Sequence, residues 1–109
     1  INNIHVVTTP EGFTFAQTGD QYSEDDLEWL FDVETKIPAL DVLLINCWAN
    51  RLSDTIEVFN PKLVITGHEN ELGHTIDHRE SYWTSFIKLE NVRTPSCLMT
   101  WGEVYWYKR

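Results

Sequence analysis

Two apolar runs, Asp41–Asn46 (DVLLIN) and Lys62–Thr66 (KLVIT), constrain this chain more than any other feature. Each is strand-sized and lacks polar alternation, the mark of a strand covered on both faces. Between them Leu52, Ile56 and Phe59 recur at helical spacing, and Asn60-Pro61 ends that helix. Strand, helix, strand in that order is a βαβ unit, which closes right-handed and parallel. Open α/β sheets place ligands at the carboxyl ends of their strands. The residues leaving these strands, Asn46 and Trp48 after the first and Gly67-His68 after the second, are therefore candidate site positions.

The flanking segments extend the same sheet. Ile4–Thr9 is β-branched and apolar, and Thr9-Pro10-Glu11-Gly12 has the residues of a tight turn. Phe13, Phe15 and Gln17 alternate with Thr14, Ala16 and Thr18, a period-2 strand that completes a hairpin. Gly19 permits a sharp exit to Asp20. Ser23 with Asp26 three residues on predicts a capped helix whose apolar face is Leu27, Leu30 and Phe31, ending before Ile37-Pro38. Further on, Asn70–Gly73 suggests one helical turn. Arg79–Leu89 reads as a helix with Tyr82, Trp83, Phe86 and Ile87 inward. Cys97–Trp101 and Glu103–Tyr107 read as a closing hairpin around Gly102. Residues 1–109 thus form one α/β unit, ordered β-β-α-β-α-β-α-β-β, with no internal repeat, low-complexity tract or linker.

Charge narrows the partners. The formal net charge is -9, with only 8 Lys and Arg, which argues against nucleic acid, because binding rests on cations neutralising phosphates. Much of the acidic excess, Glu24, Asp25, Asp26, Glu28, Asp32 and Glu34, falls on the first predicted helix as a solvated face. No apolar run approaches the ~18 residues of a membrane span. Cys47 and Cys97 form no CxxC pair and read as two free buried thiols, with a single disulfide the other option. The opening at Ile1, without Met and directly into a strand, suggests a cleaved or truncated product, so the compartment is open.

Three segments, in order, resemble a known pattern. Glu11–Asp20 (EGFTFAQTGD) resembles the stretch of metallo-β-lactamase-fold hydrolases in which a hairpin strand ends in Gly-Asp. Ala39–Asn46 is similar to the strand after that family's next helix. Asn60–His68 (NPKLVITGH) is similar to the strand whose terminal His completes the second metal site. The resemblance covers roughly residues 4–78. It implies the C-terminal half of an αββα sandwich, a mixed sheet with helices packed on one face. It also implies Asp20 and His68 as metal ligands. The family's His-x-His-x-Asp-His cluster and the further His that precedes its hairpin have no counterpart here, and His5, inside the first strand, is not assigned as that further His.

In the complete fold, zinc or another divalent metal (iron or manganese) lowers the pKa of a bound water. The resulting hydroxide attacks an ester, amide, thioester or phosphodiester. A carboxylate suits a bridging position and a neutral imidazole a terminal one. Two ligands do not hold zinc firmly, because it takes three or four protein groups. The resemblance therefore implies a fragment that carries no cofactor and is inactive alone, pairing with a missing N-terminal half or with itself. His74 and His78 are four apart, the spacing of two imidazoles on one helical face, with Glu71 and Asp77 able to orient them. Gly73, Thr75 and Ile76 disfavour that helix. The plainer reading makes His74, His78 and Glu71 rim residues that contact substrate or support ligands, in company with Trp48 and Asn46, although Trp48 is as readily a core residue or one packed against the missing half. Two alternatives stand beside the hydrolase. One is a non-catalytic interaction module using the aromatic tail Trp101, Tyr105, Trp106 and Tyr107. The other is a small metalloprotein built on His68, His74 and His78.

Overall fold

The computed structural model describes residues 3–69, 81–100 and 102–108. Within these, the elements run β1 His5–Thr8, β2 Thr14–Gln17, α1 Glu24–Glu34, β3 Val42–Asn46, α2 Leu52–Phe59, β4 Leu63–Gly67, α3 Tyr82–Leu89 and β5 Ser96–Cys97. The strands form one mixed sheet in the order β1-β2-β3-β4-β5. Only the first pair is antiparallel; the other three are parallel.

Local chemistry sets the boundaries. The β1–β2 turn closes with the Gly12 N–H donating to the Thr9 carbonyl (2.9 Å), and Gly12 has φ +84°, which glycine adopts without a steric penalty. Ser23 caps α1 through a reciprocal capping box with Asp26, as the sequence predicts. Asn60, left-handed at φ 41°, ends α2 ahead of Pro61. In β3 the buried Asp41 carboxylate just ahead of the strand accepts from the Thr14 N–H (2.9 Å) and from Lys62 Nζ (2.8 Å), tying the starts of β2, β3 and β4 together.

Each of the three parallel crossovers advances one strand in the same direction. Right-handed crossovers of that kind place their helices on a single sheet face. Burial agrees with this. Ala16, Leu43 and Val64, which are in register across β2, β3 and β4, are fully buried against Leu27, Leu30, Ile56, Phe59 and Leu89. The opposite row is apolar too, but Phe15 is exposed and Leu44 and Ile65 are only half-buried. Among the described residues, β3 and β4 are covered on one face and only in part on the other, where Leu63 is buried. Their composition is that of two-sided burial, and the described helices all lie on one side.

Two expectations need correction. The closing hairpin does not form. Ser96–Cys97 pairs parallel with β4, and 103–108 carries no strand. A turn does occur at Gly102 (φ +83°), with the Glu103 N–H donating to the Thr100 carbonyl at 3.2 Å. Among the described residues the alternating pattern beyond it gains no ladder partner, and Tyr107 lies edge-on to Phe13 at 5.4 Å. In α3, Ser85 and Leu89 face inward and Tyr82 is half-buried, whereas Trp83, Phe86 and Ile87 are exposed. Apolar residues occupy both sides of this helix. The side with the small Ser85 allows the close approach to the neighbouring helix, and Trp83 stacks on Phe86 outside (5.5 Å, 18°). Neither cysteine is in a disulfide; Cys47 is buried and Cys97 half-buried.

Candidate functional site

The carboxyl ends of β2, β3 and β4 surround a shallow cleft of about 190 Å³, lined by Gln17, Gly19, Leu44, Ile45, Asn46, Ile65, Thr66, Gly67 and His68. This is where the βαβ arrangement predicts a ligand. Asp20 and His68 meet at its rim, with Asp20 Oδ1 2.8 Å from His68 Nε2. Their side chains are 61% and 27% exposed, so the pair is open to solvent. A carboxylate only accepts, so at this distance the imidazole presents Nε2–H toward Asp20.

Backbone geometry aims both groups. Gly19 has φ +66°, and a Cβ there would come within 3.0 Å of the Asn3 carbonyl oxygen, so glycine is what allows the chain to turn off β2. His68 sits in the left-handed region at φ +71°. For a residue with a Cβ this costs on the order of 1 kcal/mol or more, and such residues concentrate at ligand sites. Just beyond it, Glu69 is buried and its carboxylate accepts a hydrogen bond from the Thr66 hydroxyl. That bond fastens the chain immediately after His68 back onto β4.

Asn46 and Trp48 also gather here. Asn46 is buried; its Nδ2 donates to the Gln21 carbonyl (2.9 Å) and the Gly19 carbonyl (3.3 Å), and its Oδ1 accepts from the Trp48 N–H (2.8 Å). The Trp48 ring then lies 5.1 Å from the His68 ring, tilted at 58°. The backbone continues the pairing past the strands, Thr18 N–H to the Leu44 carbonyl at 3.1 Å and Cys47 N–H to the Gly67 carbonyl at 2.9 Å. Four residues singled out from the sequence, Asp20, His68, Asn46 and Trp48, therefore converge. His74, His78, Glu71 and Asp77 lie outside the described residues.

Sequence reading offered Asn46 and Trp48 as residues able to contact substrate, with Trp48 equally a packing residue; here they engage the loop and ring of the two central residues. It missed the Thr66–Glu69 bond altogether. An Asn that closes an apolar strand two residues before an aromatic is the pattern of an Asx turn, and could have signalled the first. Among the described residues no group of three or more His, Cys, Asp or Glu is placed to hold a metal. No helix among them is long and apolar enough to cross a membrane. No family model, curated protein or solved structure matches the chain.

The donor types of the Asp20–His68 pair would suit a divalent metal only as part of a larger ligand set. Ligand atoms about 2.0–2.2 Å from zinc in tetrahedral geometry are roughly 3.3 Å apart. The 2.8 Å pair would need to open by about half an ångström, which two partly exposed side chains can do by small rotations.

Proposed function

We propose that this chain is half of a metal-dependent hydrolase of the metallo-β-lactamase type, with Asp20 and His68 as two of its metal ligands. The observation that carries this reading is their convergence at 2.8 Å, from the ends of β2 and β4, over a cleft at the strand carboxyl ends. Carboxylate and imidazole are the donor types that zinc takes in hydrolytic sites. The metal, when bound, would supply a hydroxide able to attack an ester, amide or phosphodiester. This chain's part is to hold two ligand atoms and shape one wall of the cleft. The remaining ligands come from a second αβ unit, and the chain alone is inactive.

The second sheet face supports the same reading. Val7, Phe15, Val42, Leu63, Leu44 and Ile65 make it apolar, yet of these only Leu63 is buried. A sheet face of that composition is built to be covered. In this proposal its cover is the other half, or another copy of the chain.

Zinc affinity, measured by competition with a chromogenic chelator, tests the assignment. Weak binding is expected, reduced roughly tenfold or more by either Asp20→Asn or His68→Gln, since even supporting groups carry that much. Equal affinity in both variants and the parent would contradict it. Stoichiometric zinc in the purified chain, retained by Asp20→Asn, would favour the alternative metalloprotein built on His68, His74 and His78.

A further inference from the structure

We infer that Asn46 is the positioning residue of the site, one side chain that sets both the loop carrying Asp20 and the indole packed on His68. The inference deepens the metal half-site reading and takes its relevance from it, but its geometry stands independently.

The two carbonyls that accept from Asn46 Nδ2 belong to Gly19 and Gln21, the residues on either side of Asp20. The amide therefore grips the Asp20 peptide segment from both flanks. This matters because the segment lies beyond Gln17, the last residue of β2, and Gly19 lends it left-handed freedom. The other end of the same amide accepts from the Trp48 N–H, an Asx turn that redirects the chain after β3. The Ala49 N–H also donates to the Asn46 backbone carbonyl at 3.2 Å, closing the turn. That turn brings the Trp48 ring to 5.1 Å from His68.

β3 lies between β2 and β4. Its last residue is thus the one point in the sheet adjacent to both strand exits that carry the pair. Asn is the residue suited to the task. It offers two donors for two carbonyls and an acceptor for one N–H on a short, rigid stem. The flipped amide would set oxygen against two carbonyl oxygens, so the network admits a single orientation. Asp keeps the acceptor and loses both donors; Ala loses everything. Burial of Asn46 makes these losses felt, because the freed carbonyls have little water to turn to.

The two substitutions separate the two arms. In Asn46→Asp, backbone amide resonances of Gly19–Gln21 should move, while the His68 ring protons keep the ring-current displacement imposed by Trp48. In Asn46→Ala both signatures should be lost. Amides of the β3–β4 ladder should hold their positions in each variant. Zinc affinity should fall roughly tenfold in Asn46→Asp, the scale of an outer-shell loss, and should fall no further when Asn46→Asp is added to Asp20→Asn. Unchanged Gly19–Gln21 resonances in Asn46→Asp would overturn the inference, as would collapse of the whole sheet spectrum in both variants, which would make Asn46 a fold residue only. Absence of zinc binding in every form would overturn the metal reading while leaving the resonance test of Asn46 intact.

Discussion

Asp20 and His68 are 48 positions apart in the sequence, yet Asp20 Oδ1 and His68 Nε2 lie 2.8 Å apart. They reach one another across the end of β3, because β2 and β4 flank it. Both side chains retain solvent, and exposed pairs of this kind contribute about 0–1 kcal/mol. Asp20→Asn should therefore shift unfolding free energy by less than about 1 kcal/mol. A urea titration that found a larger loss would assign the pair to stability and not to ligand binding.

His68 itself yields a sharper expectation. Its left-handed backbone favours glycine, so His68→Gly relieves strain of about 1 kcal/mol while adding chain entropy to the unfolded state. The two effects oppose, and the variant should remain within about 1 kcal/mol of the parent. His68→Val, β-branched at the same φ of +71°, should be clearly less stable than His68→Gly. The reverse order in thermal melts would show that the left-handed geometry is not what the site maintains.

Asp41 behaves oppositely, since its side chain is 3% exposed and ties three strand starts. Asp41→Ala leaves the buried Thr14 N–H without its acceptor and releases Lys62. Loss of a buried hydrogen bond to a charged group costs on the order of 2–3 kcal/mol. Lys62→Ala should cost less, because Lys62 is largely in solvent and the Thr14 bond remains. Chemical denaturation of the two variants checks the order.

Asp26 sets a pH dependence. The backbone N–H groups of Tyr22 and Ser23 hold its carboxyl below the ordinary value of 3.8. A group whose folded value is depressed contributes stability above its unfolded value and loses it as pH falls through the folded one. Asp26→Asn should thus melt earlier than the parent at neutral pH, and the difference should shrink as pH drops well below 3.8. A difference independent of pH would mean that the capping box acts without its charge.

The apolar second face of the sheet predicts association. Phe15 and Val7 are exposed on β2 and β1 in register with one another, beside half-buried Val42. Sedimentation should show the chain self-associating with concentration, and Phe15→Lys should shift it toward monomer. A parent chain that stays monomeric throughout would remove self-association as the cover for that face.

The central βαβ unit was legible because its signals are local: two apolar runs, a helical repeat between them, and Pro61 as a stop. The Ser23 cap was legible for the same reason. The closing strand was not, because the alternation of Val104, Trp106 and their neighbours resembles a strand whether or not a partner is in reach. The inward face of α3 was not legible either. Trp83 and Phe86 outweigh Ser85 in hydrophobicity, yet packing distance favours the small residue. At the site, Asp20 and His68 were found through resemblance and position at strand ends. Asn46 was seen without its role, since a long-range amide clip between residues 25 apart or more leaves no periodic trace.

In the proposed function Asp20 and His68 act together as metal ligands. Titration of the isotopically labelled chain with Mn²⁺, followed by paramagnetic broadening of its amide resonances, tests it most directly. Broadening should begin at Gly19–Gln21 and Gly67–Glu69 and vanish in the Asp20→Asn, His68→Gln double variant. Broadening centred elsewhere, or unchanged in the double variant, would contradict it.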